Sequence, residues 1–283
     1  MQARVTYILA LAIILGTTPS WGLGQESGIT AKLHPWGQFD PGTWKLVRVV
    51  TETLNEQGQV VSTSTTDTKT TLVDIDNEGV TLKIEACMEV AGKRFQSEPQ
   101  TVKQGFHGEL IVPNIKLKKP VDGQVVIENK KVSCKVQQLE VVGPTEKSDT
   151  RIYYSTTVSP YVLKRKSVVS DPEGKNVLSE TSFEVLALNM PIRMDEATQS
   201  GTYVKASHKG AKGTVTTMAV LLPEVPGGVV SQSLKEVGKT GRVVRRSTLE
   251  LVEFKAHSGG DQIRVFSRKR SGRRAKQTSR YGP

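Results

Sequence analysis

Apolar and polar residues alternate along much of this chain with a period of two, which is the pattern of half-buried β-strands. Residues 80–90 show it most clearly, because Val80, Leu82, Ile84 and Ala86 share one face and the residues between them are polar. After residue 24, no segment of ten or more residues has the 3.6-residue period of a helix. The pattern therefore predicts an all-β fold.

Short turns separate most of the predicted strands, which is typical of antiparallel hairpins. The sequence predicts a large curved antiparallel sheet, or a half-barrel or sandwich, built of long hairpins with few short helices. The predicted β-domain covers residues 25–254. Residues 143–150 are its most polar loop, so residues 34–143 and 151–254 are its possible halves.

Three segments share one order of features, and we interpret them as hairpins: residues 41–75, 160–186 and 225–254. Each begins at or beside a proline, turns at a glycine, and returns with two apolar residues followed by a threonine. The turn glycines are Gly58, Gly174 and Gly241. Either an internal duplication or the common pattern of long hairpins would produce this order.

The N-terminus predicts a secretory signal peptide over residues 1–24. An apolar run at residues 5–16 follows Arg4, and small and turn residues lead to a cleavage position after Gly24 or Gly22. The run is shorter than the ~20 residues of a membrane-spanning helix, although an uncleaved anchor is the alternative. No cysteine lies directly after it, in residues 17–24, which argues against a lipoprotein anchor. We expect a periplasmic or extracellular protein with no transmembrane helix in the mature chain.

The net charge of +11 is concentrated near the C-terminus. Residues 255–283 carry nine basic side chains and one acidic side chain, so the preceding body is almost neutral and does not resemble a nucleic-acid-binding domain. The composition predicts a basic disordered tail from residue 255. It either contacts an anionic surface or only aids solubility. The candidate contact residues are Arg268, Lys269, Arg270, Arg273 and Arg274.

The two cysteines, Cys87 and Cys134, both lie in strand-like segments of the exported part. An oxidising compartment makes a disulfide between them a reasonable expectation, and two free thiols are the alternative. Neither cysteine has the CxxC spacing or the nearby histidine of a zinc site, so we expect no metal and no cofactor.

No catalytic motif is recognisable, which predicts a non-enzymatic protein. The chain has no GxSxG nucleophile elbow, P-loop or dinucleotide-binding glycine pattern. Its four histidines, at positions 34, 107, 208 and 257, have no motif partners. Charged residues recur within the strands, and they form either a solvated face with cross-strand ion pairs or a charged ligand groove. They are Arg48, Glu52, Arg165, Lys235, Glu236, Arg245, Arg246 and Glu250.

The hairpin pattern resembles the half-open barrel of the periplasmic lipoprotein-carrier (localisation factor-like) superfamily. The likeness is carried by residues 226–229 (PGGV), residues 241–243 (GRV) and the aromatic segment 36–44, and it covers about half of the chain. It implies a strongly curved sheet, covered by short helices, around a hydrophobic cavity for acyl chains. The segment 36–44 would then plug that cavity.

Two functional hypotheses follow. In the first, an exported non-enzymatic protein binds a lipid or another apolar or amphipathic small molecule in its curved sheet, and inward side chains line the space. The lining residues would include Leu82, Ile84, Val220 and Leu222. Trp36, Phe39 and Trp44 are the candidate ligand contacts, unless these rings pack in the core. In the second, a structural or adhesive cell-envelope protein has a filled core, and its basic tail makes the contacts.

Overall fold

The structure, a computed structural model, describes residues 29–107, 115–194, 197–259 and 262–267. In these residues it contains sixteen β-strands and a single 3₁₀ turn, Ala31–Leu33, so the predicted all-β fold with few helices is confirmed. The strands are β1 (Trp44–Leu54), β2 (Val60–Ile75), β3 (Gly79–Val90), β4 (Lys93–Gln96), β5 (Gln100–Gly105), β6 (Ile115–Leu117), β7 (Val121–Ile127), β8 (Lys130–Val142), β9 (Lys147–Tyr154), β10 (Val162–Ser170), β11 (Val177–Met194), β12 (Ala197–Gly210), β13 (Gly213–Leu221), β14 (Val229–Gly238), β15 (Val243–Ser258) and β16 (Gln262–Ser267).

All sixteen strands belong to one antiparallel sheet, in the order β4-β3-β2-β1-β15-β14-β13-β12-β11-β10-β9-β8-β6. The remaining strands pair beside this path: β5 with β3, β7 with β8, and β16 with β15. Most neighbours are consecutive in sequence, as expected for hairpins. Strands β3 and β5, and strands β6 and β8, pair across one intervening strand. The widest exception is β1, which pairs with β15 from Trp44 opposite Lys255 to Thr53 opposite Arg245. The predicted antiparallel sheet is therefore confirmed as one continuous sheet that is not closed.

The three similar segments each form a two-stranded hairpin, namely β1–β2, β10–β11 and β14–β15. Their turn glycines have positive φ angles of 78°, 73° and 78°. Side chains with a Cβ rarely adopt this conformation, so the shared glycine is a requirement of the turn. The common order of features thus has a local cause, whatever its evolutionary origin.

The possible halves at residues 34–143 and 151–254 correspond to no break in the sheet. Strand β8 pairs with β9 from Lys135 opposite Tyr154 to Val142 opposite Lys147. The polar loop is the tip of this hairpin, closed by the Gly143 N–H donating to the Glu146 carbonyl at 2.8 Å. Polar residues are found at hairpin tips as well as at domain boundaries. The polar loop at residues 143–150 therefore did not indicate a boundary.

The paired sheet also extends past Phe254, where the predicted disordered tail was expected to begin. Strand β15 continues to Ser258, and β16 pairs with its last six residues. Phe254, Ala256 and Phe266 are buried, and the rings of the two phenylalanines stack with centroids 5.8 Å apart. Phe254 and Ala256 alternate with Lys255 and His257, so the average charge of the region concealed the end of β15 and the whole of β16. The rest of the predicted tail lies outside the described residues.

The main hydrophobic cluster shows how the sheet curves. It combines side chains from β1, β2 and β3 with Ile152 and Tyr154 of β9, although β3 and β9 stand nine places apart in the strand order. Both sets pack with the buried Trp36 and Phe39 of the segment that precedes β1. The sheet therefore wraps around this segment. A second cluster, centred on Leu163, Val185 and Val204, lies over β10 to β13.

Candidate functional site

The concave side of the sheet holds the chain's own residues 29–43, which we call the plug segment. Trp36 and Phe39 of this segment are only 6% and 5% exposed, and Ile29 is completely buried. The ring packing predicted for a plug is therefore present. The plug segment lies at the end of the sheet where strand β1 begins. It occupies the place that the first hypothesis assigned to a ligand.

Backbone hydrogen bonds attach the plug segment to three separate parts of the sheet. The Gly227 N–H donates to the Pro35 carbonyl at 3.1 Å, and the Asp40 N–H donates to the His257 carbonyl at 2.8 Å. The Leu72 N–H donates to the Thr43 carbonyl, also at 2.8 Å. These bonds fix the segment against the β13–β14 loop, β15 and β2. The segment is consequently part of the folded sheet.

Gly227 allows the plug segment to pack closely against the β13–β14 loop. Its φ angle is +68°, and a Cβ built on it would lie 2.7 Å from Nε1 of Trp36. Any larger residue would need a strained backbone and would push the indole ring away. The glycine pair at residues 227–228 thus has a structural role in the turn and in seating Trp36.

The three aromatic residues considered as ligand contacts do not form one site. Trp36 and Phe39 pack in the main cluster, in agreement with the core-packing alternative. Trp44 lies at the start of β1 and contacts Lys69, whose Nζ is 4.7 Å from the centroid of the indole ring. Lys69 is on the strand face opposite the buried Thr66, so Trp44 lies on the outer face of the sheet.

Three of the four predicted lining residues are buried inside the curved sheet. Leu82, Ile84 and Leu222 are buried, and the first and last of these belong to the main cluster. Val220 faces the other way, because it follows the buried Ala219 and pairs with the partly exposed Tyr203. Residues 218–222 are apolar without interruption, so the sequence pattern there does not specify which side faces inwards.

Lys45 is an inward-facing residue that the sequence analysis did not select. Its Nζ lies 5.5 Å from the centroid of the Trp36 ring, and burial lowers its pKa to about 8. The amine therefore makes a cation–π interaction with the face of the indole ring. The sequence could have indicated this position, because Lys45 is two residues from the buried Val47 and therefore lies on the same face of the strand.

A half-open groove of about 220 Å³ lies on the outer face of β1 to β4. Its lining residues are Arg48, Thr65, Asp67, Cys87, Glu89 and Arg94. Arg48 donates two hydrogen bonds to Asp67, at 2.6 and 2.7 Å, and Arg94 lies 3.5 Å from Glu89. The hydrogen bonds that Arg48 donates to Asp67 raise the pKa of Arg48 above its usual value. The groove is polar, and its four charges balance in two pairs.

Other strand charges identified in the sequence are paired in the same way. Arg246 contacts Glu52, and Arg245 lies 2.7 Å from Glu236 on the neighbouring strand. This arrangement agrees with a sheet stabilised by cross-strand ion pairs, each of which contributes little free energy. The charges that line the outer groove are balanced, which argues against the alternative of a charged ligand groove.

The predicted disulfide is not formed. Both cysteines are free, with Cys87 partly exposed in the outer groove and Cys134 buried in the second cluster. Their strands, β3 and β8, are near opposite ends of the strand order, and each thiol packs with its own neighbours. Burial raises the pKa of the Cys134 thiol.

The remaining sequence features can be placed only in part. His107 is buried beside Gln137 at 3.1 Å, and His208 lies 2.9 Å from Thr181. In the ranges that the structure describes, no three His, Cys, Asp or Glu side chains are grouped so that they could hold a metal ion. Within the same ranges, no helix has the length and hydrophobicity needed to cross a bilayer. The five basic residues proposed for surface contact, from Arg268 to Arg274, lie outside the described part.

No protein-family model matches the chain, and no curated protein matches it. Among solved structures, it is similar to a candidate lipoprotein from Parabacteroides distasonis, with 12% identity and a TM-score of 0.27 over 80% of this chain and 100% of that chain. It is also similar to a candidate exported protein with a YmcC-like fold from Bacteroides fragilis, with 9% identity and a TM-score of 0.28 over 75% of this chain and 95% of that chain. Likenesses of this size carry no argument about function.

Proposed function

We propose that the protein is an exported, non-enzymatic structural or adhesive component of the cell envelope, and that its basic C-terminal residues contact an anionic surface. The observation that carries this proposal is the filled concavity. Trp36 and Phe39 occupy the inside of the curved sheet and are attached there by backbone hydrogen bonds to three parts of it. This packing fits a structural body better than a carrier with space for an acyl chain.

The outer groove supports a non-enzymatic role. Its two arginines are each paired with a carboxylate of the same groove, and the bidentate pair between Arg48 and Asp67 uses the guanidinium edge that would otherwise bind an anionic substrate. Ionisable groups with strongly shifted pKa values often mark catalytic sites. In this groove the charged groups form ion pairs with one another instead. The groove therefore serves as a stabilised outer face.

The distribution of charge supports surface contact through the C-terminus. Residues 268–283 contain seven basic side chains and no acidic one, directly after the last described strand. Such a run is attracted to anionic polymers and to anionic lipid head groups. The attraction must weaken with salt, because exposed charges are screened within about 8 Å at physiological ionic strength.

A salt-dependent binding experiment tests the proposal. The protein and a variant that lacks residues 268–283 are mixed with anionic phosphatidylglycerol vesicles and, separately, with a sulfated polysaccharide. The deletion leaves β16 intact, and a second variant with glutamine at the five candidate residues keeps the chain length. We expect binding of the unaltered protein to at least one surface, lost in both variants and in high salt. Equal binding by all three proteins would refute the proposal.

Uptake of a fluorescent fatty acid by the same protein tests the competing hypothesis. A filled concavity gives no saturable uptake. Saturable, stoichiometric uptake that is lost when Leu82 is replaced by a charged residue would instead establish the carrier function.

A further inference from the structure

The last strand, β16, exposes an aliphatic pair. Ile263 and Val265 are 56% and 64% exposed, and because they are two residues apart they project from the same face of the strand. Phe266 points to the opposite face, where it is buried and stacks on Phe254. The fold thus holds β16 in place through one face and leaves two β-branched side chains on the other.

A lysine and a histidine of β15 lie opposite this pair. Val265 is directly opposite Lys255, and Ile263 is directly opposite His257, so these four side chains share one face of the β15–β16 hairpin. The chain continues from Ser267 into Arg268, Lys269 and Arg270. Glu253, opposite Ser267, is the acidic residue at this end of the hairpin. An aliphatic pair is therefore next to the most basic stretch of the sequence.

We propose that the anionic surface bound by this protein is a lipid bilayer, and that Ile263 and Val265 insert at the boundary between head groups and acyl chains. This inference rests on the proposed function and makes its partner specific. Interfacial anchors combine apolar side chains, which enter the acyl boundary, with lysines and arginines, which remain among anionic head groups. A hydrated polysaccharide would use the basic residues and leave the aliphatic pair in water.

The decisive variant is Ile263→Thr with Val265→Thr, because threonine keeps the β-branched shape that suits a strand and removes apolar surface. Val60→Thr with Val61→Thr is the matched control, since these two valines are also exposed but lie at the β1–β2 turn. Ile263→Leu with Val265→Leu is a second variant that retains the apolar surface. Thermal unfolding confirms that all of them fold like the unaltered protein.

The measurement is partitioning onto phosphatidylglycerol vesicles by co-sedimentation, beside binding to the sulfated polysaccharide. We expect the threonine pair at positions 263 and 265 to weaken vesicle binding by about tenfold and to leave polysaccharide binding unchanged. The control and the leucine variant should bind vesicles like the unaltered protein.

The possible failures are distinguishable. If the threonine pair binds vesicles as strongly as the unaltered protein, or if the protein binds only the polysaccharide, the bilayer inference is wrong while the proposed contact through basic residues stands. If deletion of residues 268–283 changes neither binding, both proposals fail.

Discussion

Lys45 provides the sharpest test of the filled concavity. Its amine lies inside the sheet over the Trp36 ring, and burial lowers its pKa from 10.5 to about 8. A shift of this size corresponds to about 3 kcal/mol of unfavourable free energy when the amine is protonated in the folded protein. The cation–ring attraction offsets about 0.5–2 kcal/mol of it. Methionine fills a similar volume without charge, so we expect Lys45→Met to stabilise the protein by about 1–3 kcal/mol at pH 7.

The pH dependence follows from the direction of the pKa shift. Below pH 8 the lysine is protonated in both states, and the whole cost is present. Between pH 8 and pH 10.5 the unfolded chain still binds the proton and the folded chain does not, so the stability of the unaltered protein rises with pH. The advantage of Lys45→Met should therefore fall below about 1 kcal/mol at pH 10.

Urea unfolding of both proteins at pH 7 and pH 10 measures these differences, because groups common to both cancel in the comparison. Lys69→Met is the matched control, since Lys69 contacts the Trp44 ring in a similar way on the outer face. We expect this control to give no stabilisation and no change in its effect between the two pH values. A loss of stability in Lys45→Met at pH 7, or an effect that is equal at both pH values, would refute the reasoning.

Three further predictions concern the packing and the thiols. Gly227→Ala should destabilise the protein by about 2–4 kcal/mol in urea unfolding, because its Cβ would meet the Trp36 ring at a positive φ angle. Gly58→Ala, at a similar φ angle with open space around it, should cost only about 1–2 kcal/mol, and equal effects would contradict the close approach. Trp36→Ala should cost about 3–5 kcal/mol, and a loss below 1 kcal/mol would mean that the plug segment contributes little. In thiol titration with Ellman's reagent, Cys87 should react in the folded protein and Cys134 only after unfolding, whereas no reaction without a reductant would indicate a disulfide.

Local patterns in the sequence were sufficient to predict the strands and the hairpins. Alternation identified β3, and glycine marked the turns at Gly58, Gly174 and Gly241, because both signals depend on a few adjacent residues. The pairing of β1 with β15 involves residues about two hundred positions apart, and alternation alone leaves that register open. The strands were therefore predictable from the sequence. The pairing of β1 with β15, which joins the N-terminal and C-terminal parts of the chain, was not.

The candidate site was less predictable because it depends on which face of each strand is inside. Trp36 and Phe39 pack in the core, which was the alternative to their role as ligand contacts, whereas Trp44 and Val220 face outwards. Lys45 was missed because a charged residue in a strand suggests a solvated face unless its neighbours at two-residue spacing are considered. Average charge was equally misleading for β16, where the buried Phe266 directly precedes the most basic stretch of the chain.

The β1–β15 pairing has a consequence for how the chain reaches its native state. During synthesis, β1 finds its second neighbour only when residues 243–258 have also emerged. Until then β1 presents an unpaired edge, and the plug segment lacks both Gly227 and the His257 carbonyl. Pairings between such distant residues are formed slowly, since the ends of a long loop must first meet. The sheet can thus be completed only after almost the whole chain is available for folding, and until then the unpaired edge of β1 is open to pairing with another chain.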